Sequence, residues 1–539
     1  MTRIIKRHWP AVLAIGVLWI TLIILLSLST KRNEGHLVYA LDDPYIHMAM
    51  AKNLVGEGVW GVTRYEFSSS SSSILWTLLL AFCYLLTGIH DTTPLILNII
   101  FATLSIIAAY LILNSFSISQ FQKSLLLLGL IFLTPLPSLV MSGMEHSAQV
   151  LFCIIFVYLA AQVLSKRNAA FAEREFVWLL ALASLVTLIR YESLFLVCAA
   201  CILFALQRRV AHALLLGALA IAPVGIYGYV SVRHGSLWLP NSILLKGTVP
   251  TKAPAVILQH AIIQIADAPH LLLLILLSLT LYFVRRRQLN ETWERGQLLL
   301  LILIMATVQH LLFASVGWFY RYEAYLVASG VLINGSLLCE MLKGKLSQKR
   351  GSKLLLRFAA VLLFVFVAAT ATLLIRRGGK ALIETPQATT NIYEQQYQMG
   401  EFLRSYYEGA SVAANDIGAI NYMANIRCLD LFGLGSIDVA RARLAGQFNT
   451  QKIYELGKSH DVRIAMVYSV WLEDAGGVPA EWIKVGEWET QNCLVCGYPV
   501  VSFYAVDRAE AETLAQNLKA FKTHLPAGVK PHTKEEWSR

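Results

Sequence analysis

The chain has 539 residues, of which 56% are hydrophobic and only 15% are charged. This balance excludes an ordinary soluble globular protein, because apolar runs near the length that crosses about 30 Å of hydrocarbon recur through the first two thirds. The net charge of +11 does not indicate nucleic acid as a partner, since the basic residues cluster in short loops between apolar runs, as the positive-inside rule describes. The composition therefore predicts a multi-pass membrane protein.

Apolar runs occur in chain order at 9–29, 74–87, 94–114, 122–140, 146–164, 176–189, 193–206, 211–231, 268–284, 297–316, 324–342 and 354–375. The first run follows a basic segment, as in a signal peptide. No small-residue cleavage site comes after it, so we expect an uncleaved first helix.

The basic loops fix a topology. Lys166 and Arg167, the pair Arg208 and Arg209, and the segments 285–296 and 343–353 should all be cytoplasmic, together with the N-terminus. All these basic segments can be cytoplasmic only if one apolar run between 30 and 165 does not cross the membrane. The run 74–87 is the best candidate, because apolar stretches of about 10–14 residues are more often interfacial or re-entrant.

The resulting prediction is an α-helical polytopic membrane protein with eleven transmembrane helices and an interfacial helix. Residues 378–539 then lie outside the cytoplasm, with Arg376 and Arg377 as the exception to the charge rule. The same topology puts every polar loop with mixed acidic, basic and aromatic residues on the outer face: 30–93, 142–147, 190–192, 233–247 and 317–323. One active face, on the outside, is expected.

Two adjacent carboxylates follow the first predicted span, in "LDDPYIHMAMAKNL" (41–54). Asp43 before Pro44 is a good helix N-cap, which is a structural role. Asp42 is then free, either as a solvated carboxylate or as a general base or metal ligand facing a cavity. His47 lies one helical turn beyond Asp43 and can share its face.

The tripeptide Arg-Tyr-Glu occurs at 64–66, 190–192 and 321–323, always in a predicted outer loop. Each copy can be a membrane-surface anchor. Arg190, however, lies at the buried end of a short helix pair, where ionisable side chains usually face a cavity. A guanidinium there suits a phosphate, which it can bind in bidentate fashion.

Further polar residues follow the same reasoning. Glu145 and His146 lie between two apolar runs, and Lys246 after "WLPNS" is either a phosphate ligand or a snorkelling interfacial lysine. The serine run 68–73 reads alone as a flexible linker. Placed before Trp76, it can cap the interfacial helix and offer hydroxyls to a polar ligand.

The segment 378–539 lacks long apolar runs and is predicted to be one α/β domain. We expect an amphipathic helix over 391–407 and buried strands over 411–415, 463–468 and 501–506. The spacing of Cys493 and Cys496 allows a local disulfide, whereas a four-ligand zinc site lacks its second pair of ligands.

These blocks resemble those of a known family. "LDDPYIHMAMAKNLVGEG" and "SSSSILWTLLLAF" (70–82) resemble the first outer loop of the GT-C glycosyltransferases, and most of all the branch of mycobacterial arabinofuranosyltransferase B. "SGME" (142–145), "LPNSILLK" (239–246) and "NDIGA" (415–419) resemble other recurring blocks. Ala49 stands where many relatives have Arg, Ile74 replaces a Pro, and His146 replaces a Thr.

The resemblance implies a GT-C fold, with a transmembrane catalytic domain (1–377, first outer loop 30–93) and an extracytoplasmic domain (378–539). It implies sugar transfer from a polyprenyl-phosphate donor to a hydroxyl of a glycan, lipid or protein, at the bacterial plasma membrane. Arabinofuranose is the first sugar to consider. Alternatives are a lipid-linked sugar flippase and a non-catalytic assembly protein.

The residues and the resemblance together give a candidate site. The resemblance gives the role of catalytic base to Asp42 or Asp43. We expect Asp42, the freer of the two, to take the acceptor proton, and Asp43 to cap the helix and orient the base. Donor-phosphate ligands are Arg190, Lys246, Arg321, His47 and Lys52, and substrate contacts are Glu145, His146, Glu192, Asn241, Glu323 and Trp76. The sequence indicates no particular cofactor, and although a divalent cation is compatible with this chemistry, no ligand set for one is visible.

Overall fold

A computed structural model describes residues 2–166, 169–246, 253–288, 293–343 and 353–533. The first two thirds of the chain are helical, and the last third is a mixed α/β domain. The helices of the first part are α1 (Thr2–Arg32), α2 (Asp43–Glu57), α3 (Ile74–Thr87), α4 (Thr93–Leu113), α5 (Gln120–Leu133), α6 (Leu136–Met141), α7 (His146–Ser165), α8 (Ala169–Ile189), α9 (Leu194–Leu206), α10 (Val210–Arg233), α11 (Asn241–Lys246), α12 (Pro254–Asp267), α13 (Pro269–Gln288), α14 (Arg295–Phe313), α15 (Ala324–Lys343) and α16 (Lys353–Ile392).

Ten of the eleven runs predicted to span a membrane lie, to within a few residues, on single helices: α1, α4, α7, α8, α9, α10, α13, α14, α15 and α16. The run 122–140 is divided between α5 and α6, which are separated by Thr134 and Pro135. Among the described residues, eight helices are long and apolar enough to cross a membrane, which leaves out α5, α8 and α9. The helices α5 and α9 are short, and α8 carries Glu173, Arg174 and Glu175 near its start. Length and hydropathy alone therefore support eight of the eleven predicted spans.

The short helix α3 covers the run predicted to be interfacial. It has 14 residues, which at 1.5 Å per residue is about 21 Å and too short for a bilayer core. Ser73 caps its start, accepting the Trp76 N–H at 3.2 Å. One apolar face, with Phe82 and Leu85, is 59% and 70% exposed, as expected for a helix that lies in the membrane surface.

The last long helix joins the two parts of the molecule. α16 contains 40 residues and continues through a π-helical turn (Tyr393–Tyr397) into α17 (Gln398–Tyr406). The predicted boundary between 377 and 378 falls inside this helix. Arg377, the exception to the charge rule, is buried and forms an ion pair with Glu323 at 2.7 Å. Its charge is therefore neutralised inside the protein.

Gly378 in α16 provides a test of this packing. A Cβ at Gly378 would overlap the backbone carbonyl of Phe132 in α5, whereas a Cβ at Gly379 meets nothing within 4 Å. We expect Gly378→Ala to lower the free energy of unfolding by about 1–3 kcal/mol, the usual cost of overpacking. Thermal unfolding in detergent measures this, with Gly379→Ala as the matched control. Equal stability of the two variants would contradict the helix contact.

The C-terminal domain is built on a six-stranded sheet in the order β2-β1-β3-β5-β4-β6. β1 pairs in parallel with β2 and β3, and the remaining pairs are antiparallel. Its strands are β1 (Ser411–Ala414), β2 (Arg427–Asp430), β3 (Ile464–Val467), β4 (Ile483–Thr490), β5 (Val500–Ala505) and β6 (Val529–Thr533), and its further helices are α18 (Gly418–Met423), α19 (Ile437–Leu444), α20 (Thr450–Ser459) and α21 (Arg508–Phe521).

The three predicted strands are β1, β3 and β5, which are neighbours in the sheet. Alternate residues of each strand face opposite sides. Val412 and Ala414 enter one apolar core, with α17 and α21, while Ala413 enters a second core with α19 and α20. A disulfide joins Cys493 to Cys496, the local pairing that the sequence left open.

Candidate active site

A cavity of about 480 Å³ lies where the predicted outer loops meet the C-terminal domain. Its charged lining residues are Asp43, His47, Arg190, Glu192, Lys246 and Arg321. Apolar side chains from α9, α10, α11 and α14 form much of the remaining wall, including Phe195, Val224, Ile243 and Phe313. The arrangement combines a charged region with an apolar one, which suits an amphiphilic ligand.

Asp43 is the acidic group at the centre of one charged cluster. Arg321 donates from Nη2 to Asp43 Oδ2, and Lys246 Nζ lies 3.7 Å from Asp43 Oδ1. Burial alone would raise the pKa of Asp43, but Lys246 and Arg321 outweigh it and hold that pKa well below its usual range. The carboxylate is therefore ionised at neutral pH.

Arg321 has unused hydrogen-bonding capacity. Its side chain is 2% exposed, and Nη2 also donates to the Tyr322 hydroxyl at 3.2 Å. Nε and Nη1 are buried and have no hydrogen-bond partner among the described residues. A buried guanidinium with free N–H groups is costly unless a ligand completes it, which makes Arg321 a candidate for binding an anionic group beside Asp43.

An unusual turn presents Arg321 to the cavity. Four consecutive residues, Gly317, Trp318, Phe319 and Tyr320, have positive φ angles of 77°, 36°, 58° and 63°. The left-handed conformation costs roughly 1–2 kcal/mol for each residue with a Cβ. Such strain persists only where the surrounding structure imposes it.

Glu323 and Arg377 hold that turn. Glu323 accepts the Gly317 N–H at 2.9 Å, and Arg377 donates to the Tyr320 carbonyl at 2.6 Å and to Glu323 at 2.7 Å. His270 lies 3.7 Å from Glu323. Glu323 was predicted to contact substrate, but it is not among the described residues that line the cavity. Its carboxylate is engaged in supporting the turn.

The structure gives Asp42 and Asp43 roles other than those predicted. The helix α2 begins at Asp43, so the N-cap position is Asp42, and the Asp42 side chain makes no bond to its own helix. Asp42 instead accepts the N–H groups of Gly418 and Ala419 at 2.7 and 2.8 Å. Asp43 is thus not the cap, and Asp42 is not the free carboxylate, because the C-terminal domain supplies its partners.

Arg190 forms a second charged cluster. It donates from Nη1 to Glu145 at 2.9 Å and to Ser72 at 3.3 Å, and from Nε to Glu192 at 3.0 Å. Glu145 is fully buried, and its second oxygen lies 3.9 Å from His47 Nε2. Arg190 lines the cavity as predicted, but two carboxylates already occupy its guanidinium. Lys246 and Arg321 are therefore better placed for a phosphate.

The other predicted site residues lie away from the described cavity wall. His146 is buried behind Glu145, and Trp76 is buried against Phe101. Lys52 donates to the Tyr422 carbonyl at 2.6 Å. Asn241 donates to the carbonyls of Gly433 and Leu434 at 3.1 and 3.2 Å. Lys52 and Asn241 thus bind the C-terminal domain, while His146 and Trp76 belong to the core.

Several lining residues were not singled out from the sequence, among them Tyr322 and Leu434. Tyr322 lies between the two predicted residues of its motif, and its ring packs against both Arg190 and Arg321. Leu434 comes from the C-terminal domain and carries no sequence signal. For metals, no group of three or more His, Cys, Asp or Glu side chains in the described residues is arranged to hold an ion.

Comparisons with known proteins bear on the fold. A family model described as a domain of unknown function (DUF8728) matches residues 390–504. No curated protein matches the chain. Crystal structures of ArnT from Cupriavidus metallidurans, bound to undecaprenyl phosphate and in the apo state, are similar with a TM-score of 0.53 and identities of 13% and 12%, over 94% of this chain and 99% of theirs. An Archaeoglobus fulgidus oligosaccharyltransferase structure has a TM-score of 0.44 at 10% identity, over 94% of this chain and 74% of that one.

The chain thus shares its fold with ArnT: a multi-pass helical membrane protein with a C-terminal α/β domain. The predicted fold class is confirmed. The predicted arabinofuranosyltransferase branch has no counterpart among these neighbours and stays a prediction.

Proposed function

We propose that this protein is a membrane glycosyltransferase that moves a sugar from a polyprenyl-phosphate donor to an acceptor hydroxyl. The observation that carries the proposal is Asp43, an ionised carboxylate held beside Arg321 and Lys246 in a cavity with apolar walls. Such a cavity offers a base, an anion site and a surface for a hydrocarbon chain in one place.

The donor phosphate is bound by Arg321 and Lys246. Arg321 can keep its Nη2 bond to Asp43 while its unpartnered Nε and Nη1 bind phosphate oxygens. The isoprenoid chain lies against the apolar side chains of α9, α10 and α14. The similar ArnT fold, determined with undecaprenyl phosphate, supports this class of donor.

Transfer then occurs in a single displacement. The acceptor oxygen attacks the anomeric carbon, the bond from that carbon to the phosphate oxygen breaks, and the acceptor proton passes to Asp43. The leaving polyprenyl phosphate carries its charge to Arg321 and Lys246, which stabilise it. The anomeric configuration is inverted, because the nucleophile enters opposite the leaving group.

The resemblance of the first outer loop gives the order in which donor sugars are tested. Arabinofuranose is the first donor sugar to test, followed by hexoses, on a glycan, lipid or protein acceptor. We place the reaction on the extracytoplasmic side of a bacterial plasma membrane, where the predicted topology puts the loops of the site.

A donor panel tests the proposal. Purified protein in lipid nanodiscs is incubated with polyprenyl-phosphate arabinofuranose, glucose, mannose and galactose, and release of polyprenyl phosphate and transfer to added acceptors are measured. Transfer or hydrolysis that is lost in Asp43→Asn supports the enzyme. Transbilayer movement of intact donors in liposomes, with neither hydrolysis nor transfer, would instead identify a flippase.

Lys246 provides a test of the phosphate site that needs no turnover. We expect Lys246→Met to weaken binding of undecaprenyl phosphate about 10- to 100-fold, since a hydrogen bond to a charged group contributes roughly 1.5–3 kcal/mol. Binding is measured by tryptophan fluorescence titration in nanodiscs. Lys452→Met, at an exposed pair in the C-terminal domain, is the control. Unchanged affinity in Lys246→Met would rule out this phosphate ligand.

A further inference from the structure

The two adjacent aspartates of the first outer loop face different parts of the molecule. Asp43 lines the cavity, while the Asp42 carboxylate is bound by two backbone amides of the C-terminal domain. Asp42 already has helical dihedral angles (φ −77°, ψ −31°), and its carbonyl accepts the Tyr45 N–H at 3.1 Å. Successive helical residues project about 100° apart, so the two carboxylates point in different directions. Because Asp42 adjoins the first residue of α2, a movement of Asp42 also changes the direction of the Asp43 side chain.

The contact between Gly418 and Asp42 leaves no room for a side chain at position 418. A Cβ at Gly418 would overlap the Asp42 carbonyl oxygen and lie 2.7 Å from a carboxylate oxygen. A residue with any side chain therefore cannot occupy position 418 without pushing Asp42 away. Glycine is required here for close approach rather than for an unusual φ angle.

Further contacts join the same surfaces. Lys52, near the other end of α2, donates to the Tyr422 carbonyl at the end of α18, so the two helices are joined at both ends. Ser70 and Asn241 donate to the carbonyl of Leu434, at 2.9 and 3.2 Å, and Leu434 lines the cavity. The C-terminal domain thus contacts both the aspartate pair and the cavity wall.

We propose that Asp42 is a positioning residue: its bonds to the Gly418 and Ala419 amides fix the start of α2 and thereby aim Asp43 into the cavity. Asp42 does not take the acceptor proton. The C-terminal domain is then required for catalysis, because it supplies the amides that hold the base in place. The kinetic consequence rests on the proposed function, whereas the contact itself is measurable without it.

Gly418→Ala separates this role from that of a base, since it leaves every titratable group intact. We expect kcat for transfer to fall about 10- to 100-fold, the scale of a misplaced catalytic group, while binding of undecaprenyl phosphate stays within twofold. Asp42→Asn, which keeps one acceptor oxygen, should show the same pattern. Gly379→Ala is the matched control.

Hydrogen exchange measures the contact directly. In wild-type protein we expect slow exchange in segments 41–47 and 416–422, and faster exchange in both segments in Gly418→Ala and Asp42→Asn. Unchanged exchange in segment 41–47, or an unchanged kcat in Gly418→Ala, overturns the proposal. So does a loss of transfer in Asp42→Asn with wild-type exchange, which would make Asp42 the base. If wild-type protein transfers no sugar, the proposed function fails, and exchange alone decides whether Asp42 holds α2.

Discussion

Replacing Asp43 with asparagine is expected to lower the rate of sugar transfer about 10²- to 10⁴-fold, the usual contribution of a general base. Binding of undecaprenyl phosphate should be kept or become tighter, because Arg321 and Lys246 lose a competing negative partner. Single-turnover transfer and a separate binding titration distinguish the two effects.

The control for this variant is Asp91→Asn. Asp91 is an exposed carboxylate of the same outer loop and accepts a bond from Tyr422, but it is not among the described residues that line the cavity. It should retain full transfer. If Asp43→Asn keeps more than a tenth of wild-type transfer, another group accepts the proton and the assignment of the base is wrong.

The second large effect is expected at Arg190. Replacing it with glutamine leaves Glu145, which is fully buried, without its cation. Removing one partner of a buried ion pair typically costs about 3–5 kcal/mol, because the remaining charge is buried and uncompensated. We therefore expect a large drop in thermal stability in detergent, independent of any substrate.

Two further variants test the cause of that drop. Adding Glu145→Gln to Arg190→Gln removes the uncompensated charge and should restore part of the lost stability. Arg64→Gln alters the same Arg-Tyr-Glu motif at the surface, where Arg64 and Glu57 are 42% and 49% exposed. It should cost less than about 1 kcal/mol. Similar losses of stability in Arg64→Gln and Arg190→Gln would show that burial of an ion pair does not determine its contribution to stability.

Much of the helical part could be predicted because apolar runs and basic loops constrain it together. The charge rule required one run between 30 and 165 not to span, its short length singled out 74–87, and the helix found there has only 14 residues. The count of spans was less certain, because α5 and α9 are short. In the C-terminal domain the predicted strands were buried ones. The strands β4 and β6 were not predicted, because apolar and polar residues alternate in β4 and β6 contains Pro531.

The candidate site could be predicted as a set of residues but not as a set of roles. Asp43, Arg190, Lys246 and Arg321 were each singled out from the sequence or from the family resemblance, and they do meet at one cavity. The division between the two aspartates could not be predicted, because the partners of Asp42 lie at positions 418 and 419. Local capping rules cannot detect a contact with a segment so distant in sequence.

Helix α16 has a consequence for the lipid around the protein. Its 40 residues span about 60 Å, twice the thickness of a bilayer core, and they continue through the π-helical turn into the C-terminal domain. Spanning helices tilt to match the hydrocarbon thickness. A change in the tilt of α16 would therefore change the position of the C-terminal domain relative to the membrane. The position of the C-terminal domain then depends on acyl-chain length, and variants should be compared in a single lipid.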